Sequence, residues 1–359
     1  MHTSTKFLTK AQSKTLVDAA LAEYFTTRTQ EALVLSPRYE ALWRSLHTLV
    51  LAGGKRFRPH MLFLAYQAYN EAGRPEDIIP AAVAQELLHS AMLIHDDIID
   101  RDDIRYGVKN IYGQAAERYA PLVASPEERH HFSVSAALLA GDALLSDAHA
   151  ELQKLTVSAD KIALADAILT KAVFEVIGGE LIDTEAAILP KGIVMPEQIA
   201  LHKTASYSFV SPLTMGAALA GAPTEEVELL RSIALKVGLG YQIRDDILGV
   251  FGDEAETGKS VSSDITEGKY SALIEQFDQL ATAEQKQAFY ATFHKADASE
   301  EELAQARALL EQSGALEATE ALIDELSQTS LSQLKTLTIS ADAQEALQAC
   351  ITECLNRNA

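Results

Sequence analysis

Three aspartates, Asp96, Asp97 and Asp100, follow the most apolar stretch of the chain at helical spacing. At about 100° per residue they span about 100° of a helix and point to one side. Crowded carboxylates at the end of a buried helix are costly unless a cation neutralises them. Mg²⁺ suits such a cluster, because it takes one or two carboxylates plus water and substrate phosphates. A solvated helix end explains an isolated cluster equally well, because Asp102 and Asp103 follow directly.

A second aspartate pair, Asp245 and Asp246, also ends an apolar helical segment and favours the metal interpretation. Gln242 lies one turn before Asp246 and should face the same way. Two acidic helix ends that are far apart in sequence can face each other across a helical bundle and bind metal ions there. Both clusters together therefore predict a Mg²⁺ site.

Basic residues stand where a phosphate ligand would need them, in an otherwise acidic chain. Residues 53–59 read Gly-Gly-Lys-Arg-Phe-Arg-Pro and place three cations beside a glycine turn. Arginine forks and lysine charges are the usual partners of phosphate oxygens. Three further lysines, Lys203, Lys259 and Lys269, follow breaks or glycines later in the chain. Each alone is more often a solvated surface charge, but with the acidic clusters they predict a pocket for a magnesium-bound polyphosphate.

The composition of the 359 residues excludes several classes of function. With 51 acidic against 30 basic residues the formal net charge is −21, so we expect no nucleic-acid partner. No run approaches the roughly 18 apolar residues of a membrane span, and no leader opens the chain. We therefore expect a cytoplasmic protein without stable membrane insertion. Cys350 and Cys354 supply no disulfide framework and should pack in the fold rather than bind metal.

Helical spacing recurs almost everywhere, whereas strand-like alternation is scarce. Between residues 83 and 99 apolar side chains recur at steps of three and four on nearly every side, which is typical of a helix buried inside a bundle. Glycine and proline clusters mark breaks between helices, but none forms a linker long enough to separate domains. The sequence predicts one all-α domain over residues 1–359, with its motifs in about 32–273 and functionally silent helices over 274–359.

The order of the motifs resembles that of the trans-type isoprenyl diphosphate synthase (polyprenyl synthetase) family. The segments that carry the resemblance are 53–59, 86–100, 203–204, 241–246 and 258–269. The resemblance implies an isoprenoid synthase fold, a large helical bundle with a deep central cavity, usually assembled as a homodimer. It also implies a Mg²⁺-dependent condensation of isopentenyl diphosphate with an allylic prenyl diphosphate, head to tail.

Site residues are carried over by motif. Five aspartates would bind Mg²⁺ on the allylic diphosphate, namely Asp96, Asp97, Asp100, Asp245 and Asp246. The same diphosphate would be contacted by Arg105, Lys203 and Lys259. Isopentenyl diphosphate would be held by Lys55, Arg58 and His89. The remaining substrate-binding residues would be Thr204, Lys269 and Gln242, the last of which would face the reacting end of the allylic chain.

Two departures from the family pattern bear on substrate binding. The family continues its first aspartate motif to two arginines before a glycine, whereas this chain has Arg105 followed by Tyr106. The missing arginine would weaken the isopentenyl diphosphate site by a charged hydrogen bond, about 1.5–3 kcal/mol, unless Lys109 or Arg101 compensates. The second aspartate cluster has Gly249 in place of a third acid, a milder departure that also occurs in one branch of geranylgeranyl-type synthases.

Product length should depend on the side chains below Asp96 on the same helix. These are Met92 with Ala91 beside it, then Leu88 and then Gln85. One helical turn advances about 5.4 Å, close to one extended isoprene unit. The resemblance implies that synthases of fifteen-carbon products often block this level with an aromatic residue. Because neither Ala91 nor Met92 is aromatic, we expect geranylgeranyl diphosphate or a longer product.

Two other interpretations compete with a synthase. The first is a non-catalytic or regulatory subunit of a heteromeric prenyl diphosphate synthase, for which Tyr106 is the best support. The intact cluster Asp96–Asp100 and Lys203 argue against it. The second is a class I terpene cyclase, which shares the fold and an aspartate cluster but has no need of the basic motif.

Overall fold

The secondary structure of the chain is almost entirely helical in the computed structural model, which describes residues 7–252 and 263–356. The helices are α1 (Lys10–Leu35), α2 (Pro37–Ala52), α3 (Phe57–Tyr69), α4 (Ile79–Asp100), α5 (Ile111–Tyr119), α6 (Pro126–Leu152), α7 (Ala159–Ala186), α8 (Pro196–Ile199), α9 (Ser211–Ala220), α10 (Thr224–Phe251), α11 (Ser263–Glu267), α12 (Ala272–Leu280), α13 (Ala283–Tyr290), α14 (Glu300–Gln312), α15 (Ala315–Leu334) and α16 (Ala341–Leu355). A 3₁₀ turn covers Pro75–Ile78, and a π-helix covers Ala200–Val210. The predicted all-α fold is confirmed.

A two-residue hairpin is the small exception to this helical structure. Strand β1 (Ile104–Arg105) pairs antiparallel with β2 (Val108–Lys109) directly after α4. Strands of two residues carry no alternation that a sequence pattern could reveal. The hairpin matters for the site because it places Arg105 beside the end of α4.

Helix α4 is buried on nearly every side, as its apolar pattern predicted. Its buried residues run from Ala81 to Asp97, and it packs against α1, α3 and α6. Together with the preceding turn, α4 is long and apolar enough to cross a membrane by length and composition. The expectation that no segment approaches such a span was therefore too strong. However, 72% of its most apolar window is buried inside the protein, as in a core helix.

The chain divides into two compact units. The first contains the residues up to Lys171 together with Pro212–Pro223, and the second contains Ala172–Ser211 together with the residues from Thr224 onward. Within the first unit α1 packs along α2, and α4 packs along α6. Within the second unit α10 packs against the π-helix, α15 and α16. The expectation of a single domain over 1–359 stays a prediction.

The C-terminal helices form part of the core of the second unit. Phe277, Phe289 and Phe293 make a buried aromatic cluster that packs with Val250 at the end of α10. On α16, Cys350 and Cys354 are both buried thiols, and the thiol of Cys354 donates a hydrogen bond to the backbone carbonyl of Cys350. The predicted packing role of the two cysteines is therefore confirmed, and the helices over 274–359 support the element that carries the second aspartate pair.

Candidate active site

The first aspartate cluster lies at the C-terminal end of α4, but its three carboxylates have different surroundings. Asp97 is buried, Asp96 is half-buried and Asp100 is exposed. The guanidinium of Arg105 donates two hydrogen bonds to Oδ1 of Asp97, and its Nη2 lies 3.6 Å from Oδ2 of Asp96. The side chain of Asn110 donates to Oδ2 of Asp97 at 3.0 Å. Arg105 and Asn110 thus hold Asp97, while Asp96 and Asp100 lie further out on the helix end.

The pKa of Asp97 reflects its buried position between Arg105 and Asn110. Burial raises the pKa of the Asp97 carboxyl above its ordinary value, although hydrogen bonds from Arg105 and Asn110 act in the opposite direction. Burial alone would lower the pKa of Arg105, but the Asp97 carboxylate outweighs it and the pKa is raised. Arg105 therefore keeps its charge in a site that already holds several carboxylates.

Asn110 is a site residue that sequence reasoning missed. Its Oδ1 accepts from the backbone N–H of Gly113 and caps α5, while its Nδ2 reaches back to Asp97. The available signal was an asparagine directly before a helical segment, which is a preferred N-cap. That signal predicts the helix start but not the second hydrogen bond, which depends on the hairpin.

Lys109 and Arg101 are the two cations that could compensate for the missing arginine. Lys109 Nζ lies 3.3 Å from a carboxylate oxygen of Glu117 on α5. Arg101 ends α4 in the left-handed conformation, with φ of 62°, and its side chain is exposed. Neither observation assigns the missing hydrogen bond to these residues.

One of the three cations in the basic motif, Arg56, is buried, whereas Lys55 and Arg58 are not. Arg56 is 4% exposed and donates to Asp18, Glu86 and the carbonyl of Val50, each at 2.7 Å. A Cβ at Gly54 would lie 2.7 Å from Nη1 of Arg56, and Gly54 has φ of 102°, a conformation that favours glycine. Arg56 therefore holds the loop together, and the assignment of Lys55 and Arg58 to a ligand stays a prediction.

His89, on α4, lies in the electrostatic field of this motif. Burial lowers the pKa of His89 well below 6.5, and the charges of Arg58 and Arg56 act in the same direction. The imidazole is therefore neutral near pH 7 and offers a hydrogen bond rather than a charge. The charge of Arg58 therefore acts on His89, and their assignment to one substrate stays a prediction.

The second aspartate pair belongs to a hydrogen-bonded chain in the second unit. Thr204 donates to Oε1 of Gln242 at 2.7 Å, and Nε2 of Gln242 donates to Asp246 at 3.1 Å. Lys269 donates to the same oxygen of Asp246 at 3.0 Å. Burial alone would lower the pKa of Lys269, but the charges of Asp246, Asp264 and Asp245 outweigh it and the pKa is raised. The structure brings these predicted residues together.

Gly249, at the position of the absent third acid, leaves space for a carboxylate from elsewhere. A Cβ at residue 249 would lie 2.3 Å from Oδ2 of Asp264 on α11. The same oxygen lies 3.6 Å from Nζ of Lys269. The second cluster therefore has the carboxylate of Asp264 beside Gly249.

Lys203 lies in the π-helix and is paired with two acids that the sequence did not single out. Its Nζ lies 2.6 Å from Asp183 and 3.0 Å from Glu180, both on α7. A Cβ at Gly179 would lie 2.2 Å from the backbone nitrogen of Lys203, so the glycine permits this close approach. π-helical segments occur frequently at functional sites. The missed signal was the three-residue spacing of Glu180 and Asp183 directly after two glycines.

The side chains predicted to measure product length lie in or near the core of the first unit. Leu88, Ala91 and Gln85 are fully buried, and Met92 is half-buried. The side-chain amide of Gln85 donates to Sδ of Met215 at 3.5 Å. The level of Ala91 is thus a packed environment in which an added ring would need new space.

The donor chemistry at both clusters fits Mg²⁺. Carboxylate oxygens are the ligands that this ion prefers, and it completes its shell with water and phosphate. Within residues 7–252 and 263–356, no group of three or more histidine, cysteine, aspartate or glutamate side chains forms a metal cage of its own. Lys259, the remaining predicted phosphate ligand, lies outside the described residues.

The chain is similar to proteins of one known family. The polyprenyl synthetase family profile matches residues 39–310. A geranylgeranyl diphosphate synthase from Methanosarcina mazei is 33% identical over 72% of this chain and 71% of its own length. A farnesyl diphosphate synthase from Bacillus subtilis is 34% identical over 66% of this chain and 76% of its own length.

The fold of this chain is also similar to that of a solved synthase structure. Geranylgeranyl pyrophosphate synthase from Corynebacterium glutamicum, complexed with isoprenyl diphosphate and magnesium, has a TM-score of 0.88 and 29% identity, covering 98% of this chain and 100% of that one. The comparisons give no support to a terpene cyclase or a non-catalytic subunit. The chain therefore belongs to the polyprenyl synthetase family and is a trans-prenyltransferase that elongates prenyl chains.

Proposed function

We propose that the protein condenses isopentenyl diphosphate with an allylic prenyl diphosphate in the presence of Mg²⁺. The observation that carries the proposal is the arrangement at the end of α4. Arg105 and Asn110 hold the buried Asp97, and Asp96 and Asp100 lie further out on the same helix end. In this assignment Asp96 and Asp100 would hold Mg²⁺ at the first cluster, and Asp245 and Asp246 would do so at the second. Asp97, predicted above as a fifth ligand, instead positions Arg105.

The reaction breaks the allylic C–O bond, and the electron pair leaves with the diphosphate. Bound Mg²⁺ supplies charge neutralisation on the leaving oxygens. Arg105 and Lys203 are the hydrogen-bond donors that the motifs assign to diphosphate oxygens, where they would stabilise the charge that builds on the leaving group. Both side chains rest against carboxylates in the free protein, so each cation is already oriented before substrate arrives.

Isopentenyl diphosphate is held by Lys55, Arg58 and the neutral His89. Its double bond attacks the allylic carbon, a C–C bond forms, and a proton is lost to the released diphosphate. No side-chain base is required, which agrees with a histidine whose pKa is held low by burial and Arg58. Water must be excluded during this step, because it would otherwise trap the allylic cation.

Incubation of the purified chain with Mg²⁺, labelled isopentenyl diphosphate and an allylic primer tests this function. We expect a longer prenyl diphosphate by mass analysis and complete loss of the product after chelation with EDTA. A product that forms equally well without divalent ions would contradict the proposal. Controls with isopentenyl diphosphate alone and with primer alone distinguish condensation from hydrolysis of either substrate.

We also propose that the protein is a cytoplasmic homodimer. The support is an exposed apolar face on α7, where Phe174, Ile177 and Leu181 recur at helical spacing and are 79%, 52% and 61% exposed. Monomeric proteins rarely leave such a face in water. Light scattering on the same preparation measures the mass, which for a homodimer is twice the 38.9 kDa of the chain.

We propose geranylgeranyl diphosphate or a longer chain as the product, and replacing Ala91 with Phe tests this. Ala91 is fully buried on α4, so a growing chain would have to open this packed level, and a ring at residue 91 would obstruct it. We expect the product to become shorter by about one five-carbon unit, since one helical turn matches one isoprene unit. Mass analysis of the product measures the change. Ala91→Val, a smaller addition, should shorten the product less, and an unchanged distribution in both variants would refute this assignment.

A further inference from the structure

Tyr106 occupies a strained position in the hairpin of the first unit. Tyr106 and Gly107 form its two-residue turn with φ of 54° and 74°. Asparagine or glycine usually fills such a position, because a bulky residue at positive φ is unfavourable. Strain of this kind persists where the surroundings hold it and is concentrated at functional sites. The strained conformation therefore suggests that the side chain of Tyr106 has a functional role.

The ring of Tyr106 lies against the backbone of Gly53, the first residue of the basic motif. A Cβ at residue 53 would lie 2.6 Å from Cγ of the ring and 2.8 Å from Cδ1. The contact between glycine and ring fixes Tyr106 beside the loop that carries Lys55 and Arg58. Because Tyr106 is still 45% exposed, it is not a core residue, and part of the side chain is accessible to a ligand.

The hydroxyl of Tyr106 keeps its proton despite the nearby cations. Burial raises the pKa of Tyr106 above 10, and Glu86 also raises it, whereas Arg58 and Arg105 act in the opposite direction. A neutral phenol is a hydrogen-bond donor. Such a donor, held on the loop that carries Lys55 and Arg58, can bind a phosphate oxygen.

We propose that Tyr106 binds the diphosphate of isopentenyl diphosphate, with its hydroxyl donating a hydrogen bond to a phosphate oxygen beside Arg58. The inference rests on the proposed function, because it adds one side chain to that substrate's site. It assigns to the hydroxyl of Tyr106 the contact that a second arginine would otherwise make. Binding of isopentenyl diphosphate then depends on Lys55, Arg58 and a neutral donor.

Tyr106→Phe tests the inference, because it removes the hydroxyl and keeps the ring on Gly53. We expect the KM for isopentenyl diphosphate to rise about tenfold, the typical effect of losing a hydrogen bond to a charged group. The KM for the allylic substrate and kcat at saturation should stay unchanged. Tyr106→Arg, which supplies a charged fork, should lower the KM for isopentenyl diphosphate below that of the wild type. Tyr39→Phe is the matched control, since it removes a hydroxyl on α2 from a ring that packs on Trp43.

The outcomes separate this inference from the proposed function. If the wild type condenses its substrates and Tyr106→Phe leaves the KM for isopentenyl diphosphate unchanged, the inference is wrong and the function stands. If the wild type condenses nothing, the proposed function is wrong. Titration calorimetry with isopentenyl diphosphate then still tests the hydrogen bond from Tyr106. We expect Tyr106→Phe to bind isopentenyl diphosphate about tenfold more weakly than the wild type. Equal affinities would overturn the inference.

Discussion

Replacing Asp96 with Asn is expected to lower kcat about a thousandfold while leaving the fold intact. The carboxylate lies at the end of α4, where Arg105 Nη2 is 3.6 Å from it and is bound mainly to Asp97. Asparagine keeps the size of the side chain but removes the negative charge that a hard divalent ion prefers. Loss of charge stabilisation on a leaving group costs two to three orders of magnitude in comparable sites, and metal stabilisation amounts to several kcal/mol. Release of diphosphate at saturating substrates and Mg²⁺ measures the effect.

Two further variants separate a metal ligand from other roles. Asp103→Asn makes the same change of charge at an exposed residue after α4, and we expect its kcat to match the wild type. Asp97→Asn should lower both kcat and the midpoint of thermal unfolding, because Asp97 is buried between Arg105 and Asn110. If Asp96→Asn and Asp103→Asn had equal kcat, the assignment of Asp96 to the metal would be wrong.

Features that local spacing encodes could be predicted from the sequence. The apolar positions between 83 and 99 recur on every side of a helix, and α4 is buried accordingly. The aspartates at its end share one region of the helix because three and four residues make a turn. Gln242 and Asp246 are one turn apart, and they do form a hydrogen bond. In each case the interaction lies within one element, where spacing determines geometry.

Interactions between distant residues could not be predicted in this way. Lys203 lies 20 and 23 positions from Asp183 and Glu180, and nothing in the local pattern selects these acids as its partners. Asp264 fills the space left by Gly249, although the two belong to different helices. The sequence indicates that carboxylates and lysines are present, but long-range packing decides which of them neutralise each other.

Replacing Arg56 with Met is expected to lower the free energy of unfolding by about 3–5 kcal/mol. Arg56 and Glu86 are 4% and 3% exposed and lie 2.7 Å apart, so the substitution leaves a carboxylate without its cation in the core. The carbonyl of Val50 loses its donor as well. Desolvated charges of this kind are far more costly to leave unpaired than surface charges. Urea unfolding followed by circular dichroism measures the change.

The double variant Arg56→Met with Glu86→Gln identifies the cause of that loss. If the uncompensated charge of Glu86 dominates, the double variant should be more stable than Arg56→Met alone, because a neutral amide is less costly to bury. Arg38→Met makes the same chemical change at an exposed residue on α2 and should alter the unfolding free energy by no more than about 0.5 kcal/mol. A double variant that is less stable than Arg56→Met would mean that shape and packing at residue 56, rather than its charge, hold the basic loop in place.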